Sequence, residues 1–227
     1  MHYTLFAARK GPEAFHGRIE RGMMSRNAGR NWVARGALAL LLALAALPRP
    51  LCAQYATRQV NLAYLTQRAD VIVQGRVARV RHAPLPGYPN IPTVEVTLEV
   101  ENMLRGPGGR TYTFREIFLG LRAREGKQGY REGQRLLLFL PAASRYGLSS
   151  PVGIEQGRFH ITYGSGGEEI VANEMENAGL FRNTALAARG VRLTEGQKRL
   201  LGAKRGPVRL GEMIPVIHAF TALPRIP

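Results

Sequence analysis

A run of β-branched residues around one glycine, Ala69-Asp70-Val71-Ile72-Val73-Gln74-Gly75-Arg76-Val77-Ala78-Arg79-Val80, constrains this chain more than any other stretch. Branching at Cβ suits a pleated surface and crowds a helix. Val71, Ile72, Val73, Val77 and Val80 therefore predict one long strand, the first of a sheet. Gly75 interrupts it, and a glycine inside a strand either marks a bulge or bend or is simply tolerated. Val71, Val73 and Val77 share one parity, and Ile72, Ala78 and Val80 the other. A bend at Gly75 would turn both sets toward one curved core.

What precedes that strand reads as export machinery. Gly36 to Leu47 is an apolar block, with Arg26, Arg30 and Arg35 before it and Pro48-Arg49-Pro50-Leu51-Cys52-Ala53-Gln54 after it. A basic leader, an apolar segment of about 7–15 residues and a small residue at the cut mark a secretory signal peptide. A spanning helix needs about 20 apolar residues. Cleavage is expected between Ala53 and Gln54, with retention as an uncleaved N-terminal anchor as the alternative, since Leu51 is large for its place. Met23 and Met24 stand at the ordinary distance for the start of such a signal, so residues 1–22 read as an over-extended N-terminus. Cys52 is the only cysteine. Pro50-Leu51 before it argue against a lipid anchor, and cleavage after Ala53 leaves no disulfide, cysteine nucleophile or thiolate metal site.

Charge bears on partners. Beyond residue 53 there remain 24 Lys and Arg against 14 Asp and Glu, a formal +10. A basic exported domain is drawn to anionic surfaces such as lipid headgroups, wall polysaccharide or nucleic acid. Arginine-rich composition without any functional meaning is the competing explanation.

Downstream, Leu62, Leu65 and Ala69 lie at helical spacing and predict a short leading helix. Four prolines between Arg81 and Pro92 predict an irregular loop. Val94, Val96, Leu98 and Val100 alternate with Glu95, Thr97, Glu99 and Glu101, the period of a half-buried strand. The turn 105–110 and Thr111–Ile117 complete a hairpin. Gly120 to Gly133 is a polar, glycine-rich loop whose spacing does not fit a phosphate loop. Its Arg122, Arg124, Lys127 and Arg131 are candidate anion-binding residues. Gln134–Pro141 suits a central strand, and 157–163 with 168–173 a further hairpin. In the tail, Thr194 and Gln197 fit a capping box. Leu210, Met213, Ile214 and Ile217 form an apolar stripe, with Pro215 tolerable only near a first turn.

The pattern Ala69-Asp70-x-Ile72-Val73-x-Gly75-x-Val77, the valine ladder closing on Leu104-Arg105-Gly106, then Gly133-x-Arg135-x-Leu137-x-Phe139-Leu140 and Gly157-x-Phe159, resembles a group of uncharacterised exported bacterial proteins. The resemblance implies a small closed OB-like or netrin-like β-barrel over residues 61–173 and brings no catalytic residues. The cysteines that staple netrin-like modules are missing here.

The residues thus predict a mainly β protein with flanking helices (α+β). A closed antiparallel barrel spans 54–176 and a helical extension 177–227. His82, His160 and His218 show no metal-pairing spacing. Glu168-Glu169 and Glu174-x-Glu176 lack the buried setting that separates acid from base. No cofactor or metal is expected. The function read from this is a non-catalytic binding module in the cell envelope, periplasmic or secreted, whose partner the residues do not name: an envelope protein or an anionic polymer, with no specific nucleic acid expected. In the alternative, Tyr112, Phe114 and Tyr163 stack an anionic polymer while arginines hold its charges. A hydrolase with an unrecognised site is the third reading.

Overall fold

Helix α1 (Leu62–Arg68) opens where Asn61 accepts from the backbone of Tyr64, and it buries Leu62, Ala63, Leu65 and Thr66. The computed structural model describes residues 58–118, 129–184, 188–189, 191 and 193–223. The expected cleavage at Ala53–Gln54 and the loop cations Arg122, Arg124 and Lys127 lie outside the described residues. Ala56–Pro227 forms one compact unit.

The strands are β1 (Val71–Leu85), β2 (Tyr88–Arg105), β3 (Thr111–Ile117), β4 (Arg135–Leu140), β5 (Arg158–Tyr163), β6 (Glu169–Asn173) and β7 (Val208–Arg209). They make one antiparallel sheet in the order β3-β2-β1-β4-β5-β6-β7. β4 is its central strand, which explains the unbroken apolar run: Leu136, Leu138 and Leu140 enter one core and Leu137 and Phe139 the other.

The first strand is bulged, though its face changes elsewhere than expected. At Gly75 the extra residue is on β2, where Glu101 is skipped between Gln74↔Asn102 and Gly75↔Val100. Val77 therefore stays on the face of Val71 and Val73. The switch comes at Ala78, skipped on β1 between Val77↔Leu98 and Arg79↔Thr97. That extra residue brings Val80 to the same core as Val77, while Ile72 packs into the opposite one.

The proline-rich stretch is not a loop. β1 and β2 continue through it as a hairpin, pairing Pro84 with Pro92 and turning at Pro86-Gly87, where Gly87 has φ 80°. Proline at the second position and a positive-φ glycine at the third suit a type II turn. The prolines are tolerated because this part of the hairpin is a two-stranded ribbon. β4 leaves β1 after Arg76, and β3 joins β2 only from Thr93. Each strand then has an outward edge where a missing N–H is harmless.

Two cores sandwich the sheet. One joins α1, α2 (Glu195–Leu201) and α3 (Leu210–Thr221) to Ile72, Leu137, Phe139, Phe159, Ile161 and Val171. The other collects Val71, Val73, Val77, Val94, Val96, Leu98, Phe114, Tyr130 and the even-numbered leucines of β4. Each fully buried large side chain contributes about 1.5–3 kcal/mol.

The capping box of α2 is formed as the sequence predicts, with Thr194 and Gln197 bonding each other's backbone. In α3, however, Pro215 sits in the second turn. The lost hydrogen bond to the Gly211 carbonyl costs about 3 kcal/mol. Burial of Leu210, Met213, Val216, Ile217 and Phe220 on one side of the helix offsets it.

The sheet is not closed. β3 and β7 are its two edges, and no ladder joins them. β7 is two residues long and hands directly into α3, so it offers nothing for a seam. β3 is met instead by the loop after β4, through Ser149 N donating to Arg115 O at 2.7 Å.

Candidate functional surfaces and a buried charge cluster

The solvent face of β1–β2–β3 is a set of polar rows running across the strands. Glu95 on β2 sits between Arg81 of β1 and Arg115 of β3, and Thr97 hydrogen-bonds Thr113 at 2.9 Å. Further along, Arg135 of β4 donates to Glu101 of β2 at 2.7 Å, to Glu169 of β6 at 2.5 Å and to the Tyr163 hydroxyl of β5 at 3.3 Å. One guanidinium therefore ties β4 to three other strands. The Arg115 and Arg81 hydrogen bonds hold the Glu95 carboxyl below the usual carboxylate range, and Arg135 does the same for Glu101.

A carboxyl with a depressed folded-state pKa adds stability that is full above its unfolded pKa. That stability fades as pH falls through the folded value. Stability is accordingly expected to decline below about pH 4.3, by about 1 kcal/mol for each of these two carboxylates. Denaturant midpoints measured across that range should show the decline, and Glu101→Gln should remove about half of it.

The other charged group is buried. Arg158 on β5 is 4% exposed. It donates to Glu155 at 2.6 Å, lies 3.8 Å from Glu174, and stands over the Tyr130 ring with 5.0 Å to the centroid. Its Nε is buried without a hydrogen-bond partner. His160, two residues on and on the same side of β5, contacts Glu174 at 2.9 Å. Tyr130 in turn meets Phe114 of β3 edge-on at 5.4 Å and donates to Glu116 at 3.3 Å. Burial raises the Tyr130 hydroxyl pKa, and the Glu116 charge adds to the effect. These groups neutralise one cation and clamp the sheet across its curl, because one ring touches both β3 and β5.

A third feature lies at the hairpin turn. Tyr88 and Tyr146 are each about half exposed and meet edge to face, 5.7 Å between ring centroids. Arg145 stands over the Tyr146 ring at 4.7 Å. The turn carrying Tyr146 is fixed by Ser144, whose backbone N–H donates to Leu148 O and whose carbonyl accepts from Gly147 N, both at 2.8 Å. Ile117, also exposed, ends β3 opposite Thr93, and His82 packs edge-on against Phe118 at 4.9 Å.

The predicted stacking residues do not share a surface. Tyr112 and Phe114 do stack on β3, 6.5 Å apart, but Phe114 is 5% exposed and belongs to the core. Tyr163 is well exposed on β5, with β2, β1 and β4 between it and β3. Arg131 is exposed, its backbone N–H bonded to the Gln134 side chain at 2.9 Å. The three histidines among the described residues lie apart: His82 on β1, His160 on β5 and an exposed His218 in α3. Among the described residues no group of three His, Cys, Asp or Glu is placed to hold a metal ion, and no helix is long and apolar enough to cross a membrane.

Sequence reasoning missed Tyr88, Tyr146 and Arg158. Arg158 carried a signal, since a charged residue between Gly157 and Phe159 on a strand flanked by buried positions needs a partner inside. Comparison with protein-family models and with curated proteins gives no match for this chain.

Proposed function

We propose that this chain is an exported, non-catalytic binding module of the cell envelope that holds a protein partner at the turn of its β1–β2 hairpin. The observation that carries the reading is the exposed edge-to-face pair of Tyr88 and Tyr146, 5.7 Å between ring centroids, with Arg145 standing over the Tyr146 ring. Tyrosine and arginine dominate the energetics of protein contacts, because each presents a large rigid surface with a polar end. The turns beneath them are short and internally bonded, so little side-chain or loop order is lost on binding.

The fold belongs to the same proposal as an OB-like barrel whose seam is a loop. Supporting it are the strongly bulged first strand, the Tyr130 ring held between β3 and β5, and the Ser149–Arg115 bond. Such a barrel fits the resemblance to exported bacterial proteins. The apolar block ending before Ala53 supports export.

The test is capture of partners from host envelope fractions with a photo-crosslinker replacing Tyr146. One discrete protein is expected at both low and moderate salt. Tyr88→Ala with Arg145→Ala should weaken that capture by roughly 30-fold or more, the effect of losing one contact hot spot. Retention only on polyanions, vanishing as salt rises, would favour the anionic-polymer reading instead. Turnover in an esterase, glycosidase or phosphatase screen would overturn the non-catalytic reading.

A further inference from the structure

Where the chain enters the β unit, its path is pinned by side chains from distant segments. The buried Gln156 donates to Arg58 O at 3.1 Å and accepts from Val60 N at 2.8 Å. Asn61 Nδ2 donates to Arg182 O at 2.9 Å, and Leu62 N to Leu180 O at 2.7 Å. Gly179 donates to Lys204 O at 3.3 Å and lies so close to Gln59 that a Cβ there would stand 2.8 Å from its Oε1. Residues 58–62, 179–182 and 204 are thus neighbours.

These backbone bonds leave the side chains of Arg58, Arg182 and Lys204 exposed around one spot. Arg205 adds a fourth cation, paired to Glu176 at 2.9 Å with both side chains mostly in solvent. One helical turn into α1, Tyr64 is 44% exposed and carries the Arg68 guanidinium 5.7 Å from its ring centroid. A ring of cations beside an exposed tyrosine is the chemistry of the lipid headgroup layer, where anions attract arginine and a phenol can sit half in and half out of water.

We propose that this face, carrying Arg58, Tyr64, Arg68, Arg182, Lys204 and Arg205, docks the β unit onto anionic lipid headgroups. Chain length favours lipid over a soluble polyanion. Arg58 follows Leu47, the last residue of the apolar block, by eleven residues, a reach of at most about 40 Å when fully extended. Before cleavage between Ala53 and Gln54, or in a chain that keeps the block as an anchor, a block seated in a bilayer keeps Arg58 within that reach of the bilayer surface. The resulting high local concentration turns weak attraction into occupancy. The face is independent of the hairpin turn and stands or falls without it.

The test is flotation of the full chain with vesicles of phosphatidylcholine alone, or with about 30% phosphatidylglycerol, a composition giving an appreciable negative surface potential. The apolar block is common to all variants, so the gain between the two vesicle types reads the basic face. Arg182→Gln, Lys204→Gln and Arg205→Gln together should cut that gain roughly 100-fold, and Lys204→Gln alone roughly fivefold. These side chains are exposed and lose only one surface pair, so the circular dichroism should not change. Arg79→Gln, Arg110→Gln and Arg131→Gln remove equal charge elsewhere and should leave the gain almost intact. Equal losses from the two triple variants would overturn the proposal, since net charge alone would then be acting. So would direct binding to a soluble polyanion such as dextran sulfate, at matched charge concentration, as tight as binding to the anionic vesicles. Tyr88→Ala should leave vesicle binding unchanged, which separates this face from the hairpin turn.

Discussion

Replacing Arg158 by alanine is expected to lower stability by about 3 kcal/mol, because it leaves two partly buried carboxylates without the buried cation they share. Arg158 and its partner Glu155 are only 5% and 16% exposed at the side chain, and Glu174 is 19% exposed. Exposed ion pairs typically contribute about 1 kcal/mol or less, since water screens them and the side chains lose freedom. Here water is largely excluded, so removing one member costs the solvation of the others. The Tyr130 ring also loses the cation above it, worth about 1–2 kcal/mol when desolvated. The cluster differs from a simple requirement for charge, because a buried pair replaced on both sides by groups of similar shape is often neutral. Arg158→Met combined with Glu155→Gln should therefore recover most of the loss, more so because Arg158 Nε is already without a partner. Denaturant midpoints at neutral pH, with the slope unchanged, measure both variants. A loss under about 1 kcal/mol for Arg158→Ala would place the cluster with solvated pairs.

That cluster also shows where sequence reading reaches its limit. The period-two pattern of Val94 to Val100 and the unbroken apolar run of Leu136 to Leu140 each report burial directly, and both became strands where expected. The capping box of Thr194 and Gln197 was legible because both halves lie within four residues. Arg158, Glu174 and Tyr130 come from separate elements, and nothing local in the chain says that they meet. Phe114 fails as a stacking residue for a related reason: it is opposite Val96 and shares its buried face, a matter of register that an isolated strand does not disclose. The hairpin turn with Tyr88 was hidden by a rule applied too broadly. Proline excludes the middle of a sheet, yet a two-stranded ribbon has no middle. Finally, the place of the face switch, Ala78 and not Gly75, depends on which of two paired strands holds the extra residue, and both bulges look alike from one strand alone.

Gly75 nonetheless keeps a strict structural role, and Gly75→Val is expected to destabilise the fold by about 3 kcal/mol through overpacking. A Cβ at this position would fall against the Glu99 carbonyl oxygen, far inside van der Waals contact, with Leu98 Cβ 3.4 Å away. The obstruction is backbone, so no side-chain rotation relieves it. β1 is held on its other side as well, where Gly75 pairs with Leu136 of the central strand, leaving no free edge toward which it can shift. Relief would require β2 to move away, and β2 is fixed by the bulge at Glu101, whose carboxylate is bonded to Gln74 and Arg135. The residue is glycine because two strands approach too closely for a side chain, and not because of an unusual backbone dihedral. Ala should therefore cost less than Val but remain clearly destabilising, whereas Gly87→Ala, at a turn where nothing stands within 4 Å of an added Cβ, should cost only the strain of its positive φ. Thermal midpoints ordered as native, Gly87→Ala, Gly75→Ala and Gly75→Val, from highest to lowest, are the expected result. A Gly75→Ala midpoint equal to the native one would show that β2 yields, and the bulge would then be an adaptable joint.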